Sequence, residues 1–292
     1  MKRILYSAAL ILLAACGSAT AAEIRWKFKQ GDEFYLEEAA RMKLAMQIGG
    51  DNETIEIRSS VVSRYKVAKL HANGNVEIEQ TIIRFKMREG AGPEVRLPML
   101  EEAVFKITFD RDMKLVRFDG YRDLVDRVER ENPAAAGMFR REFSETEVRR
   151  RLVEPLTIFL PGKNDGDRWE HRRNTSNPAV GEIDMNLKYQ MGDPVEKNGR
   201  NLLKADFTAD VTYRQPMPKP GAELQVVRAA FDFKGLGGQV LFDSERGRLQ
   251  QFEIRIPLTG TIRIKGGSVE MDGRIDGSIE QTFRVFDELP AD

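Results

Sequence analysis

The chain is poor in the residues that do chemistry. Its 292 residues include one cysteine, two histidines and two tryptophans. A single thiol leaves no intramolecular disulfide and no paired-thiolate metal site. His71 stands beside the Asn73-Gly74 turn and reads as a solvated loop residue. His171 lies two residues after Trp169 among Arg168, Glu170, Arg172 and Arg173, and reads as a surface cross-strand partner. Neither histidine has a second ligand at metal spacing. Net charge is also absent: 46 Lys and Arg balance 46 Asp and Glu, and the signs are interspersed. A nucleic-acid-binding surface carries a basic excess, so nucleic acid is not an expected partner. The run Arg149-Arg150-Arg151 is expected to be a solvated helix face. Nucleophile elbows of the Gly-x-Ser-x-Gly type are missing. Gly235, Gly237 and Gly238 precede a strand rather than a helix, which excludes a dinucleotide loop. The acidic pairs Asp110/Asp112 and Asp243/Glu245 fall in turns where aspartate bonds its own backbone, and Asp272 and Asp276 lie on the wet face of the last strand. No loop has the ligand number a calcium site needs. The expectation is a protein without cofactor, metal or catalytic residues, and a hydrolase is the less favoured reading.

Long apolar runs are missing too, apart from the start. Lys2 and Arg3 precede the apolar stretch Ile4–Ala15, the n-region and h-region of an export signal. As a helix those residues reach about 18 Å, short of the ~30 Å hydrocarbon layer, so the stretch is not a spanning helix. Leu13-Ala14-Ala15-Cys16 resembles the lipobox of bacterial lipoproteins. That resemblance implies cleavage before Cys16, acylation of its sulfur, and a lipid anchor on a cell-envelope membrane. The alternative is cleavage after Ala19-Thr20-Ala21, a small-x-small site that discards Cys16 and releases a soluble periplasmic or secreted protein. In either case stability must come from packing alone, which a body of roughly 275 residues can supply.

What the rest of the chain has is alternation. Ile55, Ile57, Val61, Tyr65 and Val67 alternate with polar residues, the period of a strand with one wet face. Phe252, Ile254, Ile256, Leu258, Ile262 and Ile264 share one face. After a Lys265-Gly266-Gly267-Ser268 turn, Val269, Met271, Ile275, Ile279, Phe283 and Val285 resume it. These are hairpin arms of roughly fourteen residues, about 45 Å each. Strands so long belong to strongly curved sheets or partial barrels. Further hairpin turns are Gly49-Gly50-Asp51-Asn52 and Asn73-Gly74-Asn75. Between them and the second half, Tyr121, Leu124, Val125 and Val128 follow helical spacing. Pro133 suits a second helix start, and Ser144-x-x-Glu147 is a capping box before Val148, Leu152, Val153 and Leu156. Pro155 is expected to kink or end that helix.

Landmarks recur. Gly31-Asp32-Glu33-Phe34 is matched by Gly166-Asp167-Arg168-Trp169, and Phe109–Leu115 by Phe242–Leu249, with spacings of 78 and 76 residues within the two halves. The fold class expected is mainly β (α+β): long curved antiparallel sheets or partial barrels from a duplicated β-meander, with a helical insertion near the middle. The division is 1–15 signal peptide, 16–24 tether, 25–119 first β-meander half, 120–160 helical insertion, 161–287 second half and 288–292 tail.

Two loops, Leu97-Pro98-Met99-Leu100 and Pro216-Met217-Pro218, stand late in the two meanders. Proline stiffens such connections and methionine packs against irregular apolar surface. Leu97, Met99, Leu100 and Met217 are therefore candidate ligand contacts at the lip of an apolar cleft, against the plainer reading of loop anchors on the core. Arg25–Phe34, Leu160–Trp169 and Phe242–Leu249 resemble segments of an uncharacterised family of exported bacterial domains of unknown function. The resemblance implies export and a β-rich fold and brings no catalytic motif. The pattern of long strands with few helices is also similar to the half-barrel lipoprotein carriers, in architecture alone. The leading functional expectation is a noncatalytic, membrane-tethered envelope lipoprotein binding an apolar ligand or another envelope component. The alternative is a structural or protein-interaction module of the cell envelope. A continuous apolar cavity inside the sheet favours the first, a filled interior the second.

Overall fold

The computed structural model of the chain describes residues 24–160, 167–177, 181–216, 224–266 and 269–291. Cys16 and the rest of the signal segment, Gly166, Met217, Pro218 and the 267–268 turn lie outside them. The first half runs β1 (Glu33–Ile48), β2 (Asp51–Leu70), β3 (Val76–Glu89), the short β4 (Val95–Arg96), β5 (Val104–Phe109) and β6 (Leu115–Asp119). Three helices follow: α1 (Tyr121–Glu131), α2 (Pro133–Glu142) and α3 (Glu145–Thr157). The second half is β7 (Arg168–Asn177), β8 (Gly181–Met191), β9 (Val195–Lys197), β10 (Arg200–Arg214), β11 (Leu224–Asp232), β12 (Gly237–Asp243), β13 (Arg248–Gly266) and β14 (Val269–Phe286).

All fourteen strands join one open antiparallel sheet with the path β6-β5-β3-β2-β1-β14-β13-β12-β10-β8-β7. β14 returns to the middle and pairs with both β1 and β13, stitching the two meanders together. The arms of the β13–β14 hairpin have 19 and 18 residues, longer than the alternation alone suggests. The two acidic landmarks close the β5–β6 and β12–β13 hairpins. Asp110 Oδ1 accepts the backbone N–H groups of Asp112 and Lys114 at 2.9 Å, and Asp243 Oδ1 accepts that of Arg246 at 3.0 Å.

The sheet is rolled. Glu38 on β1 and Arg173 on β7 are six strand steps apart along the path, about 29 Å if the sheet were flat at ~4.8 Å per step. Yet the Glu38 carboxylate feels the charges of both Arg173 and Glu154, and α3, a cylinder ~10–12 Å across, touches strands of both halves. Its Glu154 meets Arg173 of β7, while Val148, Leu152 and Pro155 face β1–β3. Glycines permit the bend. Gly277 on β14 and Gly260 on β13 leave space that a Cβ would close to 2.0 Å from the Lys43 carbonyl oxygen and 2.3 Å from that of Ala230. Glycine inside a strand marks such close approach of backbones.

An aromatic ladder runs across the inner face. Ring centroids are 4.9 Å apart for Trp169–Tyr189, 4.8 Å for Tyr189–Phe207, 5.3 Å for Phe207–Phe252 and 5.3 Å for Phe252–Phe283. The Phe207–Phe252 step crosses β12 over Gly238, where a Cβ would stand 2.6 Å from the Phe207 ring and 1.8 Å from the Glu253 carbonyl oxygen. Each such pair contributes about 0.5–1.5 kcal/mol beyond area burial. Trp26, just before β1, stacks on Phe28 and Phe34 and abuts Phe159 and Phe242, so the first described residues close the near end of the roll.

Helix α3 is capped at one end and pinned at the other. Ser144 Oγ accepts the Glu147 N–H at 3.3 Å, one arm of a capping box. Glu147 leaves the other arm unmade and pairs with Arg150 and Arg151 instead. Past Pro155 the helix continues two residues. The carbonyl of Leu156 then accepts from Trp26 Nε1 at 2.9 Å and that of Ile158 from Tyr189 Oη at 2.8 Å. These bonds satisfy terminal acceptors that the helix cannot.

Candidate apolar binding site

The inner face changes character along β1. Phe34 and Leu36 are buried in the main core, whereas Met42, Leu44, Met46 and Ile48 are half-buried and outside that cluster. Their cross-strand neighbours Ile55, Ile57, Ile275 and Ile279 are likewise half-buried. The helices cover the near part of the roll and leave this strip open along the strands.

Under the helices lies a cavity of about 280 Å³, near the lower end of the usual size of ligand sites. Its floor is the inner face of β1, β2, β3 and β5, with Leu36, Ile57, Val61, Ile82, Phe85 and Phe105. Its roof comes from α1 (Leu124), α2 and the residue after it (Phe139, Phe143) and α3 (Val148, Leu152, Pro155). The helical stripes read from the sequence thus point at the sheet without filling the space between.

Few polar groups reach the cavity. Glu38 accepts from Gln281 Nε2 at 2.6 Å, and its carboxyl is held above the usual range, chiefly by burial. The Gln281 bond and the positive charges of Arg151 and Arg173 oppose that rise, and the charge of Glu154 adds to it. Arg151 stands at the rim, bonded to Glu147 at 2.7 Å and 5.7 Å from the Phe143 ring centroid. On the floor, Tyr65, Ser63 and Gln80 form a polar patch. Gln80 Nε2 donates to Ser63 Oγ at 3.3 Å; burial, with the Glu38 charge adding to it, pushes the Tyr65 phenol well up, and a side-chain hydrogen bond with Gln80 opposes the rise. Gln80 is 2% exposed, and its Oε1 has no protein partner.

Beside the cavity, a buried charge pair ties the roof to the far strands. Arg173 Nε and Glu154 Oε1 stand 2.5 Å apart, with side chains 12% and 10% exposed. Neither atom meets hydrogen-bond geometry, and Arg173 Nη1 has no partner, so Coulomb attraction carries the contact. Arg150 also reaches Glu154 at 2.7 Å. The run Arg149–Arg151 is thus split: Arg149 is solvated, Arg150 is half-buried in this network, and Arg151 reaches the cavity rim. His171 is corrected as well. It is half-buried beside Arg173, and burial with that neighbouring charge lowers its imidazole below the usual range.

Of the residues picked from the loops, Leu100 is buried and lines the cavity, while Leu97 and Met99 pack on the core. The Met99 carbonyl accepts from Arg127 Nη2 of α1 at 2.6 Å, so this turn fastens the roof as well. Pro216 is half-buried, and its neighbour Met217 lies outside the described residues. Sequence reasoning passed over Glu38 and Gln80, although a signal existed. Each is polar at an apolar phase of its strand: Leu36, Glu38, Ala40, Met42 in β1, and Val76, Ile78, Gln80, Ile82 across β3. Among the described residues, no cluster of three or more His, Cys, Asp or Glu is arranged to hold a metal, and no helix is long and apolar enough to cross a membrane.

No protein-family model and no curated protein matches the chain. Among solved structures, it is similar to lipovitellin in a study of its lipid–protein interactions, at TM-score 0.45 and 9% identity over 91% of this chain. The chain spans about a quarter (26%) of the lipovitellin chain's length. A weaker likeness is to DynF of the dynemicin biosynthesis pathway of Micromonospora chersina, TM-score 0.19 and 10% identity, covering 93% of this chain and 88% of that one. Another is to a DUF1329 family protein from Desulfovibrio piger, TM-score 0.13 and 12% identity, covering 85% and 84%.

Proposed function

We propose that this protein is a noncatalytic, exported envelope lipoprotein, tethered to a membrane through acylated Cys16, that binds an apolar ligand between its rolled sheet and its helices. The observation that carries this reading is the cavity, whose walls are mostly apolar side chains of four strands and three helices. Small-molecule sites have this make-up: mostly apolar lining with a few placed polar groups. The reading is noncatalytic because the two charged groups that reach the cavity are already engaged, Glu38 by Gln281 and Arg151 by Glu147, and burial keeps the Tyr65 phenol protonated. The anchor rests on the sequence resemblance at residues 13–16. Several acyl chains, at ~0.8 kcal/mol per buried methylene, would hold the domain at a membrane without a spanning helix.

A second reading, an interaction module of the envelope, draws on the half-exposed strip of Met42, Leu44, Met46 and Ile48. The two readings separate in one experiment. The dye N-phenyl-naphthylamine should gain fluorescence on binding the purified protein. Ser59→Leu, which fills the cavity from the floor, should abolish that gain, whereas Met46→Ser on the open strip should keep it. The reverse pattern would transfer the binding surface to the strip. Metabolic labelling with a fatty-acid probe tests the anchor, and label that persists in Cys16→Ser, or never appears, removes it.

A further inference from the structure

A buried amide with half its hydrogen bonding unmet is an uncommon feature in an otherwise apolar pocket. Gln80 stands opposite Tyr65 in the β2–β3 ladder and opposite Phe105 in the β3–β5 ladder, in the middle of the cavity floor. Its Nε2 is committed to Ser63, and its Oε1, buried and unpartnered, belongs to a residue that lines the cavity. An unmet buried carbonyl carries a desolvation cost that nothing repays, and burying it under hydrocarbon alone would keep that cost. A ligand that brings a donor to this oxygen recovers it, and one that brings only methylenes or an ether oxygen does not.

We infer that the cavity is selective for an apolar chain bearing a hydroxyl, whose O–H donates to Gln80 Oε1 while the chain lies against the aromatic and aliphatic walls. This rests on the proposed apolar site and adds the chemistry of the ligand's polar end. The geometry favours a hydroxyl in particular. Gln80 has Tyr65 and Ser63 as neighbours on the floor, two groups to which the hydroxyl's own oxygen can turn as acceptor. A carboxylate would offer acceptors alone to a carbonyl and bring its charge into a pocket that already holds Glu38.

The test uses two isomers, dodecanol and undecyl methyl ether, displacing N-phenyl-naphthylamine from wild type and from Gln80→Met. Transfer from water cancels when the ratio of the two affinities is compared across variants. The expected result is an alcohol-to-ether ratio that falls about tenfold in Gln80→Met, the effect of one hydrogen bond to a buried neutral acceptor. Ether binding should be unchanged or tighter in the variant. Methionine matches glutamine in shape; it removes the orphan oxygen and leaves Ser63 Oγ without its Nε2 donor, so the variant should fold with stability little changed, and Gln80→Leu replaces it if it does not. A ratio that stays within twofold, or a wild type that prefers the ether, overturns the selectivity while leaving the apolar site standing. Failure of both isomers to displace the dye from wild type overturns the site itself and the selectivity with it.

Discussion

Glu154→Gln tests whether the sheet is rolled around its helices. The substitution removes one charge and keeps the shape. Arg150 retains Glu147 at 2.7 Å, so it is not stranded. Arg173 is different: its side chain is 12% exposed, Glu154 is the one carboxylate it pairs with among the described residues, and its Nη1 already lacks a partner. Breaking a buried pair from one side costs about 3–5 kcal/mol, because the remaining charge is left in low dielectric. For a domain of this size a kcal/mol moves Tm by about 2–4 °C, so the expected fall is about 6–20 °C in a thermal melt followed by circular dichroism. The loss should be insensitive to salt, since buried pairs are poorly screened. Replacing both partners, Glu154→Leu with Arg173→Met, should recover most of it, as apolar substitutes for buried pairs are often neutral or better. A single-variant loss under about 1 kcal/mol, of the size of surface pairs, would mean that water reaches Arg173. The β7 edge would then lie away from α3, and the rolled arrangement would be wrong.

Gly238→Ala should destabilise by about 1–3 kcal/mol or more, as overpacking does, because its Cβ would press on the Phe207 ring and the Glu253 carbonyl; a lower urea midpoint at unchanged m-value checks it. Glu38 has its carboxyl raised in the folded state, so the folded protein holds that proton longer than the unfolded chain does. Stability from this group is therefore greatest at low pH and declines as pH rises from the ordinary value of 4.5 through the raised one. Glu38→Gln should flatten that decline and raise Tm at neutral pH. His171 acts in the opposite sense: its lowered value means stability present above the ordinary 6.5 and lost as pH falls below it, a slope that His171→Gln should remove from the melts.

The β architecture was legible because its period is two and its strands are long. The inner residues Phe252 to Ile264 and Met271 to Val285 mark the β13–β14 hairpin by alternation alone. Its full length was hidden at the near end, where buried Gln251 stands next to Phe252 and a bulge in the β12 pairing breaks the alternation. His171 was misread because its sequence neighbours are arginines and a glutamate, the mark of a wet strand. The group that makes Arg173 an inner residue is Glu154, supplied by a helix that the linear pattern cannot place over β7. The candidate site was mostly illegible for the same reason. Leu100 could be picked from its loop, but the cavity itself is made by elements meeting in space.

The cavity has a physical cause in where the helix is fastened. Every specific tie at the end of α3 pulls it toward the near end and the second half of the sheet: Trp26 to Leu156, Tyr189 to Ile158, Arg173 to Glu154. Over the first half, α3 faces the sheet chiefly with the apolar Val148, Leu152 and Pro155, and Arg151 stands at the rim. There the floor is cut low: Ala40 pairs with Ser59, and Leu36 with Ser63, where the open strip further along has Met42 beside Ile57 and Leu44 beside Ile55. Small residues under a helix that cannot settle leave space, since close packing requires partners on both sides. A core built only for stability would place leucine at 59 and 63 and gain the burial. Two serines and an orphaned glutamine at that spot cost stability, and a ligand of the proposed kind, filling the space and meeting the glutamine, would offset the loss.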